Sequence, residues 1–386
     1  MTTNPPARAL SATLTASGHL TPTWRTVYEA VPREDFIPSR AWAVPDGPEP
    51  GYPIDRDQDP EGWLRAVYSD TSIVTQLDDG DGDLHTGTGT PSSSGSAPGI
   101  VFATLDALDV RDHHRVMEIG TGTGWTAALL SQRVGADNVT SIEVDKQVAA
   151  QAEKNLTAAG HAPHLVVGDG AAGCPARAPY DRVHSTCAVA TFPHAWVAQT
   201  RPGGVIVAPW APLYGPGQLA RLVVDDDGCA IGRFPAFASY MMLRSQRRTV
   251  KWDPHHTSEA REATTQLDPR TLAHGAYTAD LMIGALVPGV ARIPAPADDG
   301  TGNFSLLLVE VDRNDGTGAW AAVDYTPGET DYRVTSYGHR DLWHEVSSAF
   351  LRWVGYGQPD RHRFGMTVTS EGQHLWLDDP RHPITQ

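Results

Sequence analysis

The chain has 386 residues, enough for two domains and a sizeable core. Its formal net charge of −16 disfavours general attraction to nucleic acid or to an anionic membrane, although a local basic patch stays compatible with it. No apolar run approaches the roughly 20 residues that span a bilayer, and no charged start with an apolar core marks export, so a cytoplasmic location is expected. Cys174, Cys187 and Cys229 lie far apart with no C-x-x-C pair, which indicates neither a disulfide framework nor a zinc knuckle. Among the 16 histidines, His113–His114, His161 with His164, and His255–His256 join no carboxylate or thiol at ligand spacing, so no metal is expected.

In chain order, a ragged start precedes an amphipathic helix at Pro22 to Val31, stopped by the prolines of V-P-R-E-D-F-I-P, Val31 to Pro38. Pro45 to Pro60, rich in Pro, Gly and Asp, reads as a loop. Trp63 to Tyr68 is apolar enough to pack on the core, and Ser72 to Leu77 alternates like a strand. Asp78 to Pro98 contains almost nothing but Asp, Gly, Ser, Thr and Pro, which suits a flexible linker or an active-site lid. Within it, Asp78 to Asp83 lacks the sixth-position glycine and twelfth-position glutamate of a calcium loop and reads as a solvated turn.

From Ile100 the pattern becomes regular. Ile100 to Leu108 predicts a helix, Arg115 to Ile119 a buried strand, Gly120, Gly122 and Gly124 a glycine turn, and Trp125 to Arg133 the next helix. Glycine at alternate positions permits positive φ and lets the backbone approach a ligand. A dinucleotide fingerprint is spaced G-x-G-x-x-G, whereas this turn is G-x-G-x-G and follows Glu118, an acidic residue that suits a cationic ligand. Glu143 ends a second strand, Val139 to Val144, at the distance where an acidic side chain takes up a ribose diol, and Asp169 ends a third, Leu165 to Val167. Three acidic strand ends describe S-adenosylmethionine better than NAD. Lys146 to Ala159 is a helix between them, Asp181 to Thr186 a fourth strand, Ala195 to Thr200 a helix, and Arg201 to Gly204 a tight turn into Val205 to Ala208. This alternation predicts an α/β fold, a doubly wound Rossmann-like sheet.

The motifs Ser94–Pro98 (S-G-S-A-P), Glu118–Leu130, Ile142–Asp145 (I-E-V-D), Gly168–Gly170 (G-D-G), Ala178–His184 (A-P-Y-D-R-V-H) and R-P-G-G at Arg201–Gly204 carry a family resemblance. From about Thr23 to Pro209 the chain resembles the protein-L-isoaspartate O-methyltransferases, a class I S-adenosylmethionine-dependent family. The resemblance implies that the glycine turn cradles the methionine portion of the cofactor, Glu143 the ribose and Asp169, beside Gly170, the adenine amine. It also implies that Ser96, with Ser94, contacts the substrate carboxylate. A carboxylate is ionised at neutral pH and requires no general base, so positioning is the main task left to the protein. For Ser94 and Ser96 the plain alternative is turn chemistry, and for His184 a structural role is as natural as a catalytic one.

Two features depart from the family pattern. Ser185, Thr186, Cys187, Ala188 and Val189 replace a run of very small residues after Y-D-x-x-H, and residues beyond 250 exceed the family domain. The extra length reads as folded. Phe304–Val311, Ala319–Tyr325 and Asp331–Tyr337 are strand-like, Asp341 caps a helix with Leu342, Val346, Ala349, Phe350 and Trp353 on one face, and Phe364–Val368 with Gln373–Leu377 forms a hairpin. The expected organisation is an N-terminal segment with active-site loop (1–98), a cofactor-binding core (99–243), a connector (244–300) and a smaller α+β domain (301–386) that stabilises, dimerises or recognises a peptide. T-C-A-V at Thr186–Val189, R-F-G-M-T-V at Arg363–Val368 and W-L-D-D-P at Trp376–Pro380 resemble actinobacterial relatives associated with ribosomally made modified peptides. The function expected on that resemblance is methylation of an aspartate side chain in a cyclised peptide, the ester then closing to an aspartimide. The alternative is repair of isoaspartyl residues in damaged proteins. An RNA base methyltransferase, a noncatalytic cofactor-binding protein and an NAD enzyme are weaker readings.

Overall fold

The structure, a computed structural model, describes residues 4–248, 250, 258–274, 278–311 and 318–384. The start expected to be ragged forms helix α1 (Pro5–Ala16). Pro5 and Pro6 occupy its first turn, where a missing N–H is no loss, and Ala7, Leu10 and Leu14 are buried on one face. Helix α2 (Pro22–Ala30) follows. Strands β1 (Arg40–Pro45), β2 (Tyr52–Asp55), β3 (Thr71–Leu77) and β4 (Pro91–Gly95) make a small antiparallel sheet in the order β2-β1-β3-β4, with helix α3 (Pro60–Val67) beside it. β2 lies inside the stretch expected as loop. β4 lies inside the serine-rich linker, because Ser93 and Gly95 alternate inward against β3.

A buried cation holds this sheet to the rest. Arg33 is fully buried, and its two terminal nitrogens donate to the carbonyls of Val67, Ser69, Thr71, Gly95 and Ser96 at 2.7–3.3 Å. The same guanidinium stands 5.5 Å from the ring centroid of Trp125. Helices α4 (Pro98–Leu108) and α5 (Trp125–Val134) flank the glycine turn. Phe102 of α4 meets Tyr28 and Trp125 edge-on, each at 5.8 Å between centroids, so an aromatic cluster locks α2, α4 and α5 together.

The central sheet is built on five parallel strands, β5 (Val116–Ile119), β6 (Val139–Glu143), β7 (His164–Val167), β8 (Tyr180–Ser185) and β9 (Thr200–Trp210). Helix α6 (Lys146–Ala158) follows β6, and helix α7 (His194–Ala198) follows β8. Arg201–Gly204, expected as a separate turn, is the start of β9, where the register against β8 slips between Tyr180 and Arg182. Strands β10 (Gln218–Val224) and β11 (Ala230–Phe237) add antiparallel partners that the sequence pattern did not bring out.

The C-terminal part departs from the expected boundaries. The connector contains strand β12 (Arg261–Thr265), helices α8 (Pro269–His274) and α9 (Ala279–Leu286) and strand β13 (Val290–Pro296), while His255 and His256 lie outside the described residues. β12 and β13 join β14 (Phe304–Glu310), β15 (Trp320–Tyr325) and β16 (Tyr332–Tyr337) in a five-stranded antiparallel sheet ordered β12-β16-β15-β14-β13. Asp341 caps helix α10 (Leu342–Gly355) by accepting from the His344 N–H at 3.1 Å. The closing hairpin, β17 (Phe364–Thr369) and β18 (Gly372–Leu377), leaves that sheet and pairs with β11, giving a nine-stranded order β18-β17-β11-β10-β9-β8-β5-β6-β7. One apolar cluster runs from Met117, Ile142 and Trp196 through Trp210 and Phe234 to Leu306, Val346 and Trp353, so the extension shares the core of one face of the main sheet.

Removing the Arg33 charge strands five buried carbonyls at once. Arg33→Met is expected to cost about 3–5 kcal/mol, read from urea denaturation. A loss below about 1 kcal/mol would mean that water or the backbone replaces the guanidinium readily.

Candidate active site

A cavity of about 400 Å³ opens beyond the carboxyl ends of β5 and β6. Its walls come from the glycine turn, β4 and the segment that follows β11. Gly120 has φ +91°, and a Cβ there would lie 2.5 Å from Thr186 Oγ1 and 2.7 Å from Cys187 Sγ, so both backbone and space demand glycine. The Gly122 N–H donates to Glu143 Oε2 at 2.9 Å, and the Asp145 N–H donates to Oε1 at 3.1 Å. Glu143 thus stands at the end of β6 with its carboxylate held in place on the cavity wall. Gly122 and Gly170 also line the cavity. Gly124, expected beside the ligand, caps α5 instead, and its missing side chain makes room for Leu156.

Two expected site residues, Glu118 and Asp169, are not on the wall, and neither is His184, for which a structural and a catalytic role were both open. Glu118, expected against a cationic ligand, is fully buried in β5, a strand covered on both faces, and the wall is made by its neighbours Ile119 and Gly120. Ser141 Oγ donates to its Oε2 at 2.5 Å while Oε1 has no partner, and burial raises the carboxyl pKa to about 8, so it is neutral at pH 7. Asp169 is exposed at the rim, its Oδ1 accepting from the Ala171 N–H at 2.9 Å and from Ser245 Oγ at 3.0 Å, while the adjacent Gly170 reaches the cavity. His184 pairs through Nε2 with Thr104 Oγ1 at 3.0 Å on the α4 side of the sheet, and burial lowers its pKa to about 4. It is a neutral structural histidine away from the cavity wall.

Ser94 and Ser96 do face the cavity, presented by β4 and its continuation. The backbone of Ser96 is fixed because its carbonyl accepts from Arg33. The wall also includes a segment that sequence reasoning passed over, Ser239 to Arg247. The Ala188 N–H donates to the Met241 carbonyl at 2.8 Å, and the Leu243 N–H to the Ala188 carbonyl at 2.8 Å, laying this segment along the end of β8. It brings in Tyr240, Arg244 and Arg247. The buried Tyr240 hydroxyl has no hydrogen-bond partner of good geometry, its nearest hydroxyl neighbours being Thr104 and Ser96. Burial raises its pKa far above the ordinary phenol value, so it stays a neutral donor. Burial likewise pushes the Cys187 thiol on the cavity floor up to about 12, which leaves it protonated and unreactive. The apolar run Tyr240–Leu243, set directly before the basic stretch Arg244–Arg248, was the available signal for this segment.

Residues 59–247 match the family described as protein-L-isoaspartate(D-aspartate) O-methyltransferase, a span that includes the whole cavity wall except Val44. A protein-L-isoaspartate O-methyltransferase of Ignicoccus hospitalis is 35% identical over 153 residues, covering 39% of this chain and 72% of that protein. The chain belongs to the protein-L-isoaspartate O-methyltransferase family. Proteins of the same name from Thermococcus onnurineus and Methanoculleus marisnigri are 37% and 42% identical over 127 and 118 residues. Those matches cover 31% and 30% of this chain but only 57% and 53% of the relatives, little more than half their length. A solved protein-L-isoaspartate O-methyltransferase shares the fold over 97% of this chain and 100% of its own, with a TM-score of 0.54 at 20% identity.

S-adenosylmethionine is the methyl donor of this family, and the cavity suits it on two counts. The Gly120 position has no room for a side chain, and Glu143 offers an oriented carboxylate for a ribose diol. Among the described residues no helix is long and apolar enough to cross a membrane.

Glu118 gives a pH test of this arrangement. The folded state keeps its proton to about pH 8, whereas the unfolded chain releases it near the ordinary value of 4.5. Stability from this group is therefore complete below about 4.5 and is lost as pH rises towards 8. Relative to wild type, Glu118→Gln should gain on the order of 3 kcal/mol between pH 5 and pH 8 in denaturant titrations. A stability difference that does not vary with pH would place the Glu118 ionisation elsewhere.

Proposed function

We propose that this protein is an S-adenosylmethionine-dependent carboxyl O-methyltransferase acting on the free carboxylate of an isoaspartyl residue in a peptide or protein. The observation that carries the reading is the meeting of two sets of groups in one cavity. Gly120, Gly122 and Glu143 form the cofactor side, and Ser94, Ser96 and the Tyr240 hydroxyl beside Ser96 form the acceptor side. The names of the relatives support the isoaspartyl substrate, which the sequence alone placed second.

When bound, S-adenosylmethionine supplies a methyl group made electrophilic by sulfonium charge. The chain's own task is to hold a carboxylate that is already ionised, so no side chain has to remove a proton. Ser96 and Tyr240 donate hydrogen bonds to one carboxylate oxygen and leave the other oriented towards the glycine turn. Neutral Cys187 adds no negative charge beside the incoming anion at pH 7. The methyl ester formed is a better leaving group than the acid. Attack by the following backbone nitrogen then expels methanol and closes a succinimide.

The second reading is the one the sequence alone placed first. Its substrate is the side chain of a normal aspartate held in a cyclised, ribosomally made peptide, with aspartimide as product. Thr186 and Cys187, beside Gly120 on the cavity wall, are the residues whose size bears on that choice.

Mass spectrometry separates the two readings. Purified protein with S-adenosylmethionine should add a methyl group to a linear isoaspartyl peptide and leave its aspartyl isomer unchanged. Methylation or water loss confined to a cyclised aspartyl peptide would overturn isoaspartyl specificity in favour of the second substrate. On the productive substrate, Ser96→Ala and Tyr240→Phe should each lower kcat/KM by about 10- to 100-fold. Rates within twofold of wild type would remove both hydroxyls from the mechanism.

A further inference from the structure

The wall of the cavity carries two cations that the methyl-transfer step does not use. Arg247 Nη1 donates to both carboxylate oxygens of Asp79, at 2.8 and 3.0 Å. Arg244 Nη2 lies 3.1 Å from Asp79 Oδ1, and its Nη1 donates to Asp145 Oδ2 at 3.2 Å. Asp79 belongs to the acidic turn between β3 and β4, and its N–H donates to Ser92 Oγ at 3.0 Å. The turn expected to be a solvated acidic loop thus reaches across and places an aspartate side chain between two arginines.

We propose that Arg244 and Arg247 form a carboxylate subsite for a second acidic side chain of the substrate peptide, held in the free protein by Asp79. The proposal rests on the peptide-carboxyl reading of the site and names a further substrate requirement. Both arginines line the cavity, and each is only about a quarter exposed, at 26% and 28%. Asp79 is 47% exposed, so its side chain is accessible to replacement from solvent. A guanidinium presents a fork matched to carboxylate geometry, and an aspartyl side chain of a peptide is chemically the same ligand as Asp79. Among the described residues the wall's other acidic or basic side chain is Glu143, and the whole chain carries −16. An acidic peptide approaching this cavity therefore finds its favourable electrostatic contact at the arginine pair. Because Asp79 is tethered, it competes at high effective concentration, and removing it should strengthen binding of an external carboxylate.

The test is calorimetric and does not depend on turnover. N-acetyl-L-aspartate α-methylamide and its asparagine counterpart are titrated into wild type, Asp79→Asn and Asp79→Asn/Arg247→Gln, each saturated with S-adenosylhomocysteine. Asp79→Asn should bind the aspartate probe roughly fivefold more tightly than wild type, and the added Arg247→Gln should abolish that gain. The asparagine probe should not distinguish the three proteins. Equal aspartate binding by wild type and Asp79→Asn, or a gain shared by both probes, would reduce the cluster to a latch on the turn and overturn the subsite. Failure of the methyl-transfer reading is seen separately, as an absence of methylated product from any peptide while the aspartate probe still binds.

Discussion

A guanidinium taken out of water must find acceptors, and Arg33 finds them in five backbone carbonyls from three separate segments. Those carbonyls belong to the end of α3, the approach to β3 and the end of β4. The charge therefore fixes the small sheet as one unit and sets the Ser96 backbone against Trp125 at the start of α5. The same burial lowers the Arg33 pKa to about 10, still far above neutrality, so the clamp is charged under ordinary conditions. It thereby ties the cavity-lining serines to the glycine-turn side of the fold.

The opposite wall is held from the C-terminal half. The Gln373 side chain, on β18, accepts from the Phe192 N–H and donates to the Ala190 carbonyl, both at 2.8 Å. Gln246 grips the same loop, accepting from the Ala190 and Thr191 N–H groups and donating to the Thr191 carbonyl. The loop that continues the cavity floor is thus braced by a hairpin that extends the main sheet through β11. The serine and Tyr240 sides of the cavity sit between an N-terminal clamp and a C-terminal brace, while the glycine turn rests on the parallel strands between them.

The glycine-turn half of the cavity wall was legible because its signal is local. Gly120, Gly122 and Glu143 fall within one strand–turn–helix–strand stretch, where spacing in sequence translates directly into spacing in the fold. Glu118 shows the limit of that logic. Spacing placed it beside the ligand, but a central parallel strand is covered on both faces, and which face a residue takes depends on the sheet. Tyr240, Arg244 and Arg247 were missed for a different reason. They reach the cavity only because β10 and β11 carry the chain back to the end of β8, a nonlocal pairing that no short pattern announces. The C-terminal helix and strands were readable from their apolar periodicity, whereas the pairing of β17 with β11, which merges the extension with the catalytic sheet, was not.

The glycine turn and Glu143 suit a ribose diol and a methionine-bearing cofactor, not a pyrophosphate. The direct measurement is calorimetric titration of the purified protein with S-adenosylhomocysteine and, separately, with NADH, repeated on Glu143→Gln. The expected result is saturable binding of S-adenosylhomocysteine, weakened about tenfold or more in the variant, with no heat from NADH. Preferential binding of NADH, or S-adenosylhomocysteine affinity unchanged by Glu143→Gln, would contradict the assignment of the site.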